Sequence, residues 1–285
     1  IKKVAVIGAG AMGTGIAYVC ATKGYNVFLR DLNEDLVKRG MGKIREMIAT
    51  GVNRGKLTPK EAEEIMKRIK STTDAAEAVR EADLVIEAVF EDMDLKRKVF
   101  KELDELCPSH TILASNTSVL SITEMGSTTK RPDKVVGMHF FNPAYAMKLV
   151  EVISGKQTSE DTRKIANDFT ISLEKEPVQV KDTPGFIVNR ILGAALGEAI
   201  YLLEEGVASA KDIDKAVVLG LNWPMGPIAL ADFVGLDVVY HSGKSVADAL
   251  GDDYLRKRSQ PSKLLEEKVK AGHLGVKTRK GFYEY

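Results

Sequence analysis

Lys3-Val4-Ala5-Val6-Ile7-Gly8-Ala9-Gly10-Ala11-Met12-Gly13 is the stretch from which the rest of the chain is read. Four apolar, mostly β-branched positions in a row, Val4 to Ile7, fit a strand buried on both faces of a parallel sheet. The glycine turn leads into a helical stretch to about Lys23, and Asn26-Val27-Phe28-Leu29-Arg30 is a second strand ending at Asp31. Strand, turn, helix, strand is a βαβ unit, and its right-handed crossover makes the sheet parallel. Within that context Gly8 permits the tight turn, Gly10 lets backbone approach a pyrophosphate, and Gly13 lets helix and strand pack closely. The helix N-terminus then presents free N–H groups and a positive dipole end to phosphate. Asp31, at the carboxyl end of the second strand, suits the adenosine ribose hydroxyls and repels a 2′-phosphate, which favours NAD over NADP.

Outward from this unit, residues 32–82 are too long for a simple crossover and read as two helices, 33–50 and 59–70. Thr58, Pro59 and Glu61 supply an N-cap, a first-turn proline and a capping box for the second. Strands follow at 84–89, 111–115, 135–140, 149–153 and 178–180, with helices at 94–106 and 159–174. This alternation predicts a Rossmann-like, doubly wound α/β domain over 1–182. After Asp182-Thr183-Pro184-Gly185 no convincing strand remains. Helices are predicted at 184–205, 209–220, 226–248 and 261–271, so 183–285 reads as an all-α C-terminal domain. In the first of these helices Phe186, Asn189, Gly193, Leu196, Ile200 and Leu203 fall on one face.

The composition fits such a two-domain globular chain. Of 285 residues 44% are hydrophobic and 28% charged, and 41 basic side chains nearly cancel 40 acidic ones. That balance points to no nucleic acid and no anionic membrane as partner. Residues 1–70 nevertheless carry 14 basic against 7 acidic side chains, and the remainder 27 against 33. Lys38, Arg39, Lys43, Arg45, Arg54 and Lys56 would suit a polyphosphate, but a solvated helix face explains most of them. Two cysteines, Cys20 and Cys107, make no disulfide framework, so a reducing, intracellular setting is expected, cytoplasmic in a prokaryote. No apolar run reaches transmembrane length, and no signal peptide is read. The chain opens on Ile1 rather than Met, which fits a trimmed or processed chain or a piece of a larger polypeptide. No Cys/His spacing suits a metal, and serine-hydrolase and P-loop motifs are absent.

A second group of residues carries chemistry. His139 ends the 135–140 strand, where ligand sites of open α/β sheets lie. Glu151 sits among aliphatic neighbours in the 149–153 strand, where an unpaired carboxylate would be costly. A His139–Glu151 pair would orient and polarise a general base; a satisfied buried histidine and an edge-strand acid facing water remain as the alternative. Asn189 must find partners for its amide, either a ligand oxygen or a backbone carbonyl. Ser118, in Ser115-Asn116-Thr117-Ser118, stands where it reaches a cleft or caps a turn.

These residues together resemble the 3-hydroxyacyl-CoA dehydrogenases, including 3-hydroxybutyryl-CoA dehydrogenases, over nearly the whole chain. The matching stretches are the glycine turn, Leu84–Val89, Ala114–Ser118, His139-Phe140-Phe141-Asn142-Pro143, Asp182–Arg190 and Pro224-Met225-Gly226-Pro227. The resemblance implies NAD-dependent oxidation of (S)-3-hydroxyacyl-CoA to 3-oxoacyl-CoA and the reverse, in fatty-acid or short-chain acyl-CoA metabolism. It makes His139 the general base, Glu151 its polarising partner, and Ser118 and Asn189 ligands of the substrate oxygens. Gly8 to Gly13 (with Ala9, Ala11 and Met12), Asp31, Glu91, Lys96, Ser118, Asn142 and Lys277 would hold the cofactor. Ser118, Arg54 and Lys56 would touch the CoA ester. It also implies a homodimer built on a C-terminal domain that closes over the cleft, or a domain of a hydratase–dehydrogenase fusion. The chain departs from the pattern at Val119, where a second serine is frequent, at Arg279, where glycine is common, and at Met47, where some members offer CoA a hydroxyl. Two other readings stay open: a dehydrogenase of a different hydroxy compound, and a non-catalytic relative of the same fold.

Overall fold

The computed structural model describes residues 1–251 and 253–285, with backbone alone for Tyr254, Leu255 and Arg258. In it β1 (Lys3–Ile7) is buried from Val4 to Ile7, as a parallel strand between two helix layers must be. The chain turns through the glycines into α1 (Ala11–Thr22) and returns along β2 (Asn26–Arg30), parallel to β1 with Ile7 beside Arg30. α2 (Glu34–Asn53) is capped by the Asn33 side chain. α3 (Pro59–Arg68) opens on the expected capping box, with Thr58 N–H donating to Glu61 at 2.7 Å.

α3 ends before the predicted residue 70 because the chain becomes β3 (Ile69–Thr72), an edge strand parallel to β2. Only Ile69 of β3 is buried, so no apolar alternation announces it. Asp74 then caps the short α4 (Ala75–Val79), which the sequence reading also lacks. β4 (Leu84–Glu87), α5 (Met93–Leu106), β5 (Ile112–Ser115), α6 (Ile122–Gly126) and β6 (Val135–Phe140) follow. β7 (Leu149–Ser154), α7 (Glu160–Ser172) and β8 (Glu176–Lys181) complete the sheet, in the order β3-β2-β1-β4-β5-β6-β7-β8. The first six strands run parallel, whereas β7 is antiparallel to β6. The 141–148 link is too short to hold a crossover helix, and a short link forces the antiparallel return. β8 pairs in parallel with β7, so β7 is an interior strand and not the sheet's edge. The architecture is the expected doubly wound α/β sheet. Its core is built from Val4, Val6, Ile16, Ala17, Leu29, Ile86 and their neighbours.

Contacts divide the chain into Ile1–Thr183 and Pro184–Tyr285. The second unit holds α8 (Val188–Glu204), α9 (Ala210–Leu221), α10 (Pro227–Val234), α11 (Leu236–Ala249), α12 (Asp253–Ser259) and α13 (Lys263–Lys270). It is helical as expected, with corrections. α8 begins four residues after the predicted 184, because Gly185 and Phe186 adopt φ of 72° and 50°, which no helix accommodates. Phe186 therefore lies outside the helix, and Gly193 faces solvent; the buried stripe is Leu196, Ala199 and Ile200. The predicted 226–248 helix is broken at Gly235, whose φ is 103°, into α10 and α11. α12 is additional. Among the described residues no helix is long and apolar enough to cross a membrane.

Candidate active site

The carboxyl ends of β1, β2, β4, β5 and β6 gather most of the residues singled out from the sequence. At β1, Gly8 has φ of 110°, and a Cβ there would lie 2.5 Å from the Ala88 carbonyl oxygen. A Cβ on Gly13 would lie 1.8 Å from the Gly8 oxygen. Packing thus explains two of the three glycines. It does not explain Gly10, whose added Cβ meets nothing within 4 Å. Gly10 is the N-cap of α1 and has no side chain to cap it, so the first N–H groups of the helix are presented over bare backbone. Ala9 N–H donates to Asp31 Oδ2 at 2.6 Å and Leu32 N–H to Oδ1 at 2.7 Å, tying the end of β2 to the glycine turn. Each carboxylate oxygen has a further acceptor direction for a ribose hydroxyl. Glycine turn, helix terminus and acid together fit a dinucleotide.

At the ends of β4 and β5 a buried network stands out. Lys96 and Glu87 are 1% and 0% exposed and lie 2.6 Å apart. Glu87 also accepts Ser115 Oγ–H at 2.6 Å and Val89 N–H at 2.7 Å. Lys96 reaches Glu91 at 3.4 Å. Glu91 in turn accepts Thr117 Oγ1–H at 2.5 Å, Ser118 N–H at 2.7 Å and Val119 N–H at 3.1 Å. The turn carrying half-buried Ser118 is therefore set by Glu91, and Glu91 is linked through Lys96 to Glu87. Sequence reasoning passes over Glu87. Its signal is a charged residue closing the otherwise apolar run Leu84-Val85-Ile86.

At β6, the register places His139 opposite Glu151 of β7. Nδ1 stands 2.7 Å from Oε2 and both residues are buried, so Nδ1 carries the hydrogen and donates it to the carboxylate. Glu151 is 0% exposed on an interior strand, which removes the solvent-facing alternative. The Asn116 side-chain oxygen accepts Phe140 N–H at 2.9 Å, fastening the Ser118 turn to the end of β6. Asn142, two residues past the strand, is exposed and precedes a cis proline.

Four residues stand on other elements. Arg54 and Lys56 are exposed beyond the C-terminus of α2, about 30 Å along that helix from its start near β2. Half-buried Asn189 is the second residue of α8 in the second unit. Lys277, in the same unit, lies in a short 3₁₀ turn and pairs with Asp237 of α11 at 2.5 Å.

A six-strand parallel run with a glycine turn at its first strand and an acid at its second defines a dinucleotide-binding α/β protein. The comparisons with known proteins narrow this. Residues 3–183 match the NAD binding domain of 3-hydroxyacyl-CoA dehydrogenase, and residues 185–285 match its C-terminal domain. The 3-hydroxybutyryl-CoA dehydrogenase of Clostridioides difficile is 46% identical over 283 residues, 99% of each chain. The crystal structure of (S)-3-hydroxybutyryl-CoA dehydrogenase from Ralstonia eutropha superposes with a TM-score of 0.95 at 40% identity, covering 100% of this chain and 99% of that one. An Escherichia coli 3-hydroxybutyryl-CoA dehydrogenase structure gives 0.95 at 42% identity, covering 100% of this chain but 59% of the other, so the same two units also occur within a longer protein. The chain belongs to the 3-hydroxyacyl-CoA dehydrogenase family, and its N-terminal unit is an NAD-binding domain.

Proposed function

We propose that the chain interconverts (S)-3-hydroxyacyl-CoA and 3-oxoacyl-CoA, with His139 as the proton-transfer residue. The observation that carries this is the buried His139–Glu151 pair at the carboxyl end of β6 in a chain of this family. NAD supplies the hydride acceptor when bound. Glu151 occupies Nδ1 and fixes the tautomer, so Nε2 is the atom that takes the 3-hydroxyl proton. A carboxylate partner stabilises the imidazolium that results, and base catalysis of this kind contributes about 10²–10⁴-fold. In the reverse direction the same Nε2–H protonates the 3-oxo oxygen.

Ser118 and Asn189 hydrogen-bond the substrate oxygens. Gly8 to Gly13 and Asp31 hold the adenosine half of the cofactor, and Glu91, Lys96, Asn142 and Lys277 its nicotinamide side. Arg54 and Lys56 meet the CoA phosphates. The 183–285 domain takes part in substrate binding and in pairing of two subunits. Ile191, Leu219, Leu221 and Phe233 are each more than 60% exposed within it, which favours an apolar self-contact. Light scattering at the mass of two chains would support that pairing, and a monomer at micromolar concentration would end it.

The test of function is NADH oxidation with acetoacetyl-CoA, run beside NADPH and free acetoacetate. Turnover that requires both NADH and the thioester is expected. Faster turnover of the free acid would overturn the proposal.

A further inference from the structure

Lys175 has no place in the chemistry above, yet it is a cation only 7% exposed. Two residues past α7, Glu174 adopts a left-handed conformation (φ 57°), and Lys175 follows it. Its Nζ donates to the carbonyl oxygens of Ala144 at 2.6 Å and Met147 at 2.7 Å. Burial holds this amine below the usual lysine range, while the neighbouring Cys20 thiol acts the other way. A desolvated ammonium held by backbone carbonyls is costly, so what it fastens matters.

It fastens the 141–148 link. Ala146 and Met147 N–H both donate to the Pro143 oxygen, forming one isolated helical turn whose carbonyl end receives the Lys175 cation. One side of the link rests on α1: a Cβ on Gly15 would approach the Ala144 methyl to 3.1 Å, and the Tyr18 and Tyr145 rings meet edge-on at 6.3 Å. At its start the Phe141 ring lies 4.5 Å from the His139 imidazole. The link therefore spans from the dinucleotide helix to the proposed base, and Lys175 is its charged anchor.

We infer that Lys175 is a positioning residue: by clamping the 141–148 link against α1 it sets His139 relative to the bound dinucleotide, touching neither substrate nor cofactor. This rests on the reading of His139 as the base. The variants are Lys175→Gln, which keeps a donor for one carbonyl, and Tyr145→Ala, which frees the same link from α1 at an exposed position and leaves the core intact. For each, amide exchange of the 141–148 segment, NADH affinity by fluorescence titration, and kcat and KM for acetoacetyl-CoA are measured. Expected for Lys175→Gln are exchange faster by about tenfold in that segment alone and NADH affinity weaker by about threefold. With them kcat falls about tenfold, while KM for the thioester stays within about twofold. Tyr145→Ala shifts the same quantities in the same direction by less. Faster exchange with kcat and NADH affinity at wild-type values would overturn the inference and leave Lys175 a purely structural cap. Should wild-type protein fail to reduce acetoacetyl-CoA, the dehydrogenase reading falls, and exchange with NADH affinity still decides for or against the anchor.

Discussion

Removing the Glu87 carboxylate isolates Lys96. In Glu87→Ala the Lys96 ammonium, 1% exposed, keeps only Glu91, 3.4 Å away and 39% exposed. Breaking a buried ion pair from one side costs about 3–5 kcal/mol, since the orphaned charge cannot regain its hydration. Ser115 Oγ and Val89 N–H lose their acceptor as well, adding about 1 kcal/mol each. Drift of Lys96 toward Glu91 recovers part of this, so about 4 kcal/mol is the expected net loss. For a unit of this size that lowers Tm by roughly 8–16 °C. Removing both charges behaves differently: Glu87→Leu with Lys96→Met is expected to stay within about 2 kcal/mol of wild type, because no uncompensated ion remains. Urea unfolding of Glu87→Leu, Lys96→Met and the double variant, closed as a cycle, gives the coupling directly. A single-variant loss below about 1 kcal/mol, or additive single losses, would refute the picture of a desolvated, mutually dependent pair. The double variant is further expected to bind NADH poorly despite its recovered stability, since Lys96 is proposed to face the cofactor.

Other expectations are independent of that network. His139→Gln should lower kcat by about 10²–10⁴-fold with little change in NADH affinity; a rate within twofold of wild type would remove His139 from the mechanism. Asp31→Ala should narrow the NAD-over-NADP ratio of kcat/KM and also weaken NAD binding, because the Ala9 amide loses its acceptor; an unchanged ratio argues against the ribose role. Gly13→Ala should abolish cofactor binding, since its methyl would sit 1.8 Å from the Gly8 oxygen; NADH titration decides. Burial pushes the Cys20 and Cys107 thiols up to about 12 from 9.0. A raised thiol keeps its proton in the folded state, so its contribution is full below pH 9 and is lost as pH climbs toward 12. The slope is about 1.4 kcal/mol per pH unit per thiol, with Lys175 offsetting part of it up to the usual lysine range. Urea midpoints should therefore fall between pH 9 and 11, and a flat profile would contradict the burial argument.

The elements legible in the sequence are those whose periodicity and end signals agree. β1, α1 and β2 follow from an apolar run and a glycine spacing, and the Thr58 cap from four residues. The His139–Glu151 pair follows from the cost of a lone acid in an aliphatic strand. β3 escaped because an edge strand buries one residue and so carries no alternation. The starts of α8 and α11 escaped because periodicity runs straight across Gly185, Phe186 and Gly235, whose backbone angles are set by tertiary packing. Glu87 and Lys175 escaped for a common reason: each is one charge whose partners lie on other elements, and only the fold reveals that they are desolvated.

The antiparallel turn-back between β6 and β7 acts as a molecular ruler. Side chains alternate faces along each strand, so His139 meets Glu151 in only one register of β6 on β7. If the strands keep their faces, the next permitted settings move by two, offering Leu149 or Ile153 in place of the acid. A slip of that register would thus disconnect the imidazole from its carboxylate while leaving every residue of the pair present in the sequence.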